Sequence, residues 1–199
     1  MMMDISSIMV DRASDLNARI ARRVRDLRTS RDLSLETLAD ASGVSRSMIS
    51  LVERGESSPT AVVLEKLARG LGVTLPALFD APAAHGRDEP GPVARRDQQP
   101  EWRDPASGYV RRNVSPPGVP QAMRIVDVRF PPGGRVAFEN GARVQQQVWV
   151  LDGAIDVTVG AERHRLREGD CLAMSLDHPS MFHNPGRRWA RYAVVSTQR

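Results

Sequence analysis

Histidine, cysteine and clustered carboxylates are the side chains with which a small protein binds metal or drives nucleophilic catalysis, and in this chain they are scattered. The four histidines, His85, His164, His178 and His183, and the single cysteine, Cys171, fall in no ligand spacing, and no Ser/His/Asp or Cys/His order stands out. A first polar group lies in "FENGARVQQQVWVLDGAIDVTVG", Phe138 to Gly160: Glu139, Asn140, Gln145, Gln146, Gln147 and Asp152, with no histidine or cysteine among them. Amides are weak ligands for a transition metal, but they orient a small molecule well by hydrogen bonds. A second group is built differently. Ser34, Thr37, Ser45, Arg46, Ser47 and Ser50, with Leu51 beside them, combine hydroxyls with a guanidinium, which suits phosphate oxygens and the edge of a guanine.

Two differently patterned regions must position these groups. Leu16, Ile20, Val24 and Leu27 recur at three- and four-residue steps, which predicts an amphipathic first helix with Arg19, Arg22, Arg23 and Arg25 largely off the apolar face. Ser34 can cap "LETLADA", ended by Gly43, and Ser45 can cap "RSMISLVERG", ended by Gly55. Thr60 and Thr74 begin "AVVLEKLARGLG" and "LPALF", giving five short helices over residues 15–80 behind a flexible N-terminal segment, 1–14. The inner pair, joined at "SGVS", has the spacing of a helix-turn-helix, whose second helix enters a DNA major groove. Residues 81–107 are dense in proline, glycine and charge and read as a linker, within which Trp102 is expected to dock on the second domain.

From residue 108 to 199 the period becomes two. "MRIVDVRF", "QVWVL", "IDVTV", "RHRL", "CLAMS" and "RYAVV" read as strands of a sandwich or barrel, with Asp152-Gly153 as a hairpin turn between two of them. Bulk properties set further limits. The net charge of +4 is carried almost wholly by arginine, which favours phosphate or carboxylate partners over a membrane surface. No uncharged apolar run approaches the length of a membrane span, no secretory signal is legible, and a lone cysteine fits a reducing compartment, so a cytoplasmic location is expected.

The stretch "LRTSRDLSLETLADASGVSRSMISLVERGESSPTAVVLEKLARGLGV" resembles the XRE family of phage-repressor-like helix-turn-helix regulators over Leu16 to Phe79. The resemblance implies a lambda-repressor-like domain that binds a double-stranded DNA operator through Ser34, Thr37, Ser45, Arg46, Ser47, Ser50 and Leu51. It also implies that Arg28 and Glu53 pair inside the domain. Leu35 departs from the glutamine that family members often carry there. From Gly108 to Val195 the pattern resembles a cupin, a small all-β jelly-roll barrel, with "PPGGRVAFENGARVQQQVWVLDGAIDVTVG" on its first motif and "REGDCLAMSLDHPSMFHN" on its second.

The expected fold is therefore multidomain, α followed by β. The usual cupin metal positions fall on Glu139, Gly141, Gln146 and Ser180, none of them the usual ligand, so no metal, cofactor or enzymatic activity is expected. A metal-dependent cupin enzyme tethered to DNA is the alternative. What the resemblance implies instead is an effector pocket at Glu139, Gln146, Val148, Ser180 and Phe182, in a barrel that joins two protomers as a homodimer.

Overall fold

The structure, a computed structural model, describes residues 5–79, 91–118, 122–139, 141 and 144–197, with side chains of the first helix described from Leu16 onward. His85 and Asn140 lie outside the described residues. Four α-helices open the fold: α1 (Ile5–Thr29), α2 (Leu35–Ser42), α3 (Arg46–Glu53) and α4 (Ala61–Gly70). The hydroxyls of Ser34, Ser45 and Thr60 cap α2, α3 and α4, each accepting a hydrogen bond from a first-turn backbone N–H. Gly43 ends α2 in the left-handed region at φ 68°, where a side chain would be strained. Leu16, Ile20, Val24 and Leu27 are buried as their spacing requires, against Leu38, Ile49, Val52, Leu64 and Leu67.

Two features differ from the sequence reading of this region. The fifth helix is a 3-10 turn, Leu75–Phe79, in which the Ala77 N–H donates to the Thr74 carbonyl three residues back. Five residues with Pro76, which has no N–H, are too few to propagate an α-helix. At the other end, α1 begins at Ile5, ahead of the boundary expected at residue 15.

The β-domain is a sandwich of two antiparallel sheets. Its strands are β1 (Glu101–Arg103), β2 (Val110–Asn113), β3 (Met123–Phe130), β4 (Arg135–Phe138), β5 (Gln145–Asp152), β6 (Ala154–Val159), β7 (Glu162–Arg167), β8 (Cys171–Ser175), β9 (Ser180–His183) and β10 (Ala190–Thr197). One sheet has the order β1-β2-β3-β10-β5-β8 and the other β4-β9-β6-β7. Val126, Val128, Phe130, Val148, Val150 and Tyr192 from the first meet Val136, Ile155, Val157 and Phe182 from the second, by the alternation of faces along each strand.

The Asp152-Gly153 turn is not a hairpin. β5 pairs with β10 and β8, whereas β6 pairs with β7 and β9, so this turn carries the chain from one sheet to the other. Gly153 has φ 78°, and a Cβ there would lie 3.3 Å from the Ala190 Cα, so both conformation and space demand glycine. Alternating residues satisfy either sheet equally, which is why local pattern cannot choose between them.

The second half of the segment read as a linker is structured. β1 extends the six-stranded sheet, pairing Trp102 opposite Arg111. Trp102 is buried, but it docks on both domains: its ring makes edge contacts with Phe79 at 5.6 Å and with Tyr109 at 5.9 Å between centroids. From Tyr109 the series continues through Phe130, Tyr192 and Phe182 into the sandwich. Asp104, just after β1, accepts a hydrogen bond from the Ala61 N–H at the start of α4. The helical domain is thus seated on the sandwich.

Candidate functional sites

The helix-turn-helix surface is built from α2, the turn at Gly43 and α3. Ile49 and Val52 anchor α3 in the core, which turns its opposite face outward. Arg46 and Ser47 stand exposed at its first turn; the Arg46 side chain is 69% exposed, its Nε 4.0 Å from Glu36 Oε2. That ion pair is long and solvated, so it costs little to break. The Ser45 Oγ accepts from the Met48 N–H at 3.3 Å and lies 3.2 Å from the Ser47 Oγ. At the head of α2 the Ser34 Oγ accepts from the Thr37 N–H at 3.0 Å and lies 2.9 Å from the Thr37 Oγ1. Ser50 accepts a hydrogen bond from Arg54, and Leu51 is half-buried. The seven residues therefore share the two capped helix starts and the first turns behind them.

Arg28 and Glu53 hold this surface from inside. The Arg28 Nε and Nη2 donate to the two Glu53 carboxylate oxygens at 2.7 and 2.8 Å, and its Nη1 donates to the Leu33 carbonyl at 2.9 Å. This fork ties α1 to the end of α3, as the resemblance implied, and the hydrogen bond to Glu53 raises the arginine pKa against the opposing effect of burial.

The β-domain contains a cavity of about 120 Å³. Gln146, Ser180 and Phe182 line it. Glu139 and Val148 do not. Val148 is wholly buried in the packed sandwich. Glu139 turns outward to α4, where its carboxylate meets Lys66 Nζ at 2.9 Å and Arg69 Nη2 at 3.0 Å, and these two cations hold its carboxyl below the usual range. Two cations on a facing helix outcompete an apolar barrel interior for a carboxylate.

What sequence reasoning missed is the cavity's other wall. Glu65, Ala68 and Arg69 of α4, with Thr74 and Leu75 behind it, close the space opposite Val126, Val128 and Phe130. Arg111 on β2 also lines it; its guanidinium lies 4.9 Å from the Phe79 ring centroid, and its Nε donates to Asn113 Oδ1 at 3.3 Å. Glu65 is buried, its Oε2 has no hydrogen-bond partner among the described residues, and burial pushes its carboxyl up despite the opposing charge of Arg69. Burial likewise pushes the Tyr109 hydroxyl up to about 12. No spacing in the sequence marks Glu65, because the partner surface lies in another domain.

The residues at the cupin metal positions do not fit a metal. Glu139 is engaged outside, Gly141 has no side-chain donor, and Gln146 and Ser180 offer only an amide and a hydroxyl. Among the described residues no group of three histidine, cysteine or acidic side chains converges. His183 faces Asp156 at 3.8 Å, while Ser180 and Phe182 on the same strand line the cavity. Among the described residues no helix is long and apolar enough to cross a membrane.

A capped helix-turn-helix with an arginine at the start of its second helix, seated on a hollow β-sandwich, defines a DNA-binding regulator. Residues 24–78 match the helix-turn-helix family HTH_3. The chain is 28% identical over 189 residues to the HTH-type transcriptional regulator SutR of Escherichia coli, covering 87% of this chain and 91% of that one. Over 67 residues it is 36% identical to the control protein C.MunI of a Mycoplasma species, covering 33% of this chain and 90% of that protein. A solved HTH_3 family transcriptional regulator from Vibrio cholerae superimposes with a TM-score of 0.74 at 24% identity, over 94% of this chain and 99% of that one, so the fold is shared across both domains. The chain belongs to the HTH_3 (XRE) family of DNA-binding transcriptional regulators, here with a C-terminal β-sandwich domain.

Proposed function

We propose that the protein is a cytoplasmic, homodimeric, non-enzymatic regulator that binds its operator through α3 and is controlled by a small molecule held in the metal-free β-domain. The observation that carries this reading is the cavity itself: apolar walls with a few polar groups, Gln146 and Ser180 among them, describe a site for a small organic molecule. At the operator, Arg46 suits a bidentate bond to guanine, Leu51 an apolar contact, and Ser34, Thr37, Ser45, Ser47 and Ser50 the phosphates and base edges nearby.

Dimerisation is supported by the outer face of the six-stranded sheet. There Ile125 pairs with Val195, and Trp149 with Ala193, and Met123, Ile125 and Trp149 are all exposed. A two-fold axis on that face would set two recognition helices about 34 Å apart on a near-palindromic operator.

Mapping the DNA bound in cells, followed by titration of the enriched sequence with purified protein, tests the reading. A palindromic site bound by a dimer supports it, and monomers that bind single half-sites contradict it. The competing enzymatic reading is tested by metal analysis of purified protein: stoichiometric iron, zinc or manganese would overturn the metal-free assignment.

A further inference from the structure

A ligand in this cavity touches the DNA-binding domain directly. The floor and side walls come from the sandwich, through Val126, Val128, Phe130 and Phe182, but the roof is α4, the helix that follows the recognition helix. The cations near the roof have partners: Arg69 bonds Glu139, and Arg111 lies on the Phe79 ring and bonds Asn113. The acceptor that lacks one among the described residues is Glu65, buried at 9% exposure with no hydrogen bond to its Oε2. An unsatisfied buried acceptor carries an uncompensated desolvation cost, larger when it is charged, and a donor supplied by a ligand recovers that cost.

Resting on the effector-binding reading above, we propose that the site is shared between the domains: a small molecule with an apolar body and an ammonium group places its body among the valine and phenylalanine side chains of the sandwich and its charge on Glu65 of the DNA-binding domain. An ammonium supplies both the donor and the countercharge that a buried carboxylate needs, whereas a carboxylate ligand would meet Glu65 with like charge. Because Glu65 sits on α4, any ligand held this way bridges the barrel to the operator-binding helices. Its affinity and the operator's are then linked by a reciprocal factor.

The test uses the full chain and three probes of similar size, n-butylamine, n-butanol and butyrate, titrated calorimetrically. Butylammonium is expected to bind about ten-fold or more tighter than butanol or butyrate at neutral pH, the margin of one charge-assisted hydrogen bond. In Glu65→Gln that preference should vanish, with far-ultraviolet circular dichroism and cooperative thermal unfolding reporting that the variant is folded.

A second measurement needs no variant. The groups around Glu65 are Lys66 and Arg69 on α4, Glu139 beyond β4, Arg111 on β2, and the Tyr109 and Tyr192 hydroxyls. Glu139 is held low and both tyrosines are held high, whereas burial raises Glu65, so Glu65 is the member of this set that ionises as pH rises above the ordinary carboxylate range. Butylammonium affinity should rise as it ionises and butanol affinity should not. Equal binding of the three probes, a preference retained in Glu65→Gln, or a flat pH profile overturns the shared site and leaves the cavity reading standing. Failure of all three probes to bind overturns both.

Discussion

Asp104 of the β-domain caps a helix of the DNA-binding domain. Its Oδ1 accepts a hydrogen bond of 2.9 Å from the backbone N–H of Ala61, the first residue of α4, while its Oδ2 accepts from the Ser107 N–H at 2.9 Å. The first N–H groups of a helix have no partner within it, and a carboxylate there also meets the positive end of the helix dipole. One side chain therefore satisfies a helix terminus and fixes the angle between two domains. Asp104→Ala should lower stability by about 1 kcal/mol, within the range of lost helix caps. Thermal unfolding should also lose cooperativity, the two domains separating into distinct transitions.

The Arg28–Glu53 fork carries a larger share of the stability of the helical domain. The side chains are only 15% and 8% exposed, so removing one leaves the other buried and uncompensated. Glu53→Ala should cost about 3–5 kcal/mol in urea unfolding, as for other broken buried pairs. A loss below about 1 kcal/mol would show that Arg28 finds water or the Leu33 carbonyl sufficient.

Arg46 should affect DNA selectivity and leave stability unchanged. It is exposed and makes only a long contact to Glu36. Arg46→Ala should weaken operator binding by about 1–3 kcal/mol and relax preference at one base pair. Competition binding against single-base operator variants reads this out. A uniform loss on every sequence would reassign the residue to phosphate contact.

Asp127 predicts an acid-sensitive element in the sandwich. Burial raises its pKa, but hydrogen bonds from Arg191 and Arg112 outweigh that and hold the carboxyl below its ordinary value. A carboxyl lowered in the folded state stabilises the fold fully above its unfolded pKa, near 3.9, and loses that contribution as pH falls through the folded value. Asp127→Asn should therefore be less stable than the natural sequence at neutral pH. The gap should close as urea unfolding is repeated at progressively lower values, below about pH 4.

Much of the helical domain was legible in the chain because its signals are local. Ser34, Ser45 and Thr60 cap the helices that follow them, and the spacing of Leu16, Ile20, Val24 and Leu27 sets the buried face. Six strands were legible for the same reason, since face alternation is written in consecutive residues. β1, β2, β4 and β9 were not, being three or four residues each, too short for a period to show. Of the residues lining the cavity, Gln146 on β5 and Ser180 and Phe182 on β9 were legible from the motif positions, and those of α4 were not.

By itself, then, the sequence determined the starts of the helices within the helix-turn-helix, the all-β class of the second domain and which residues stand at the cupin metal positions. Only the tertiary structure decided that Asp152-Gly153 joins two sheets, that Glu139 faces Lys66 and Arg69, and that Glu65 roofs the cavity. The physical reason is one of range. Capping and periodicity act across a few residues, whereas a carboxylate chooses among all cations and apolar surfaces that folding brings within reach, and the chain order does not record those distances.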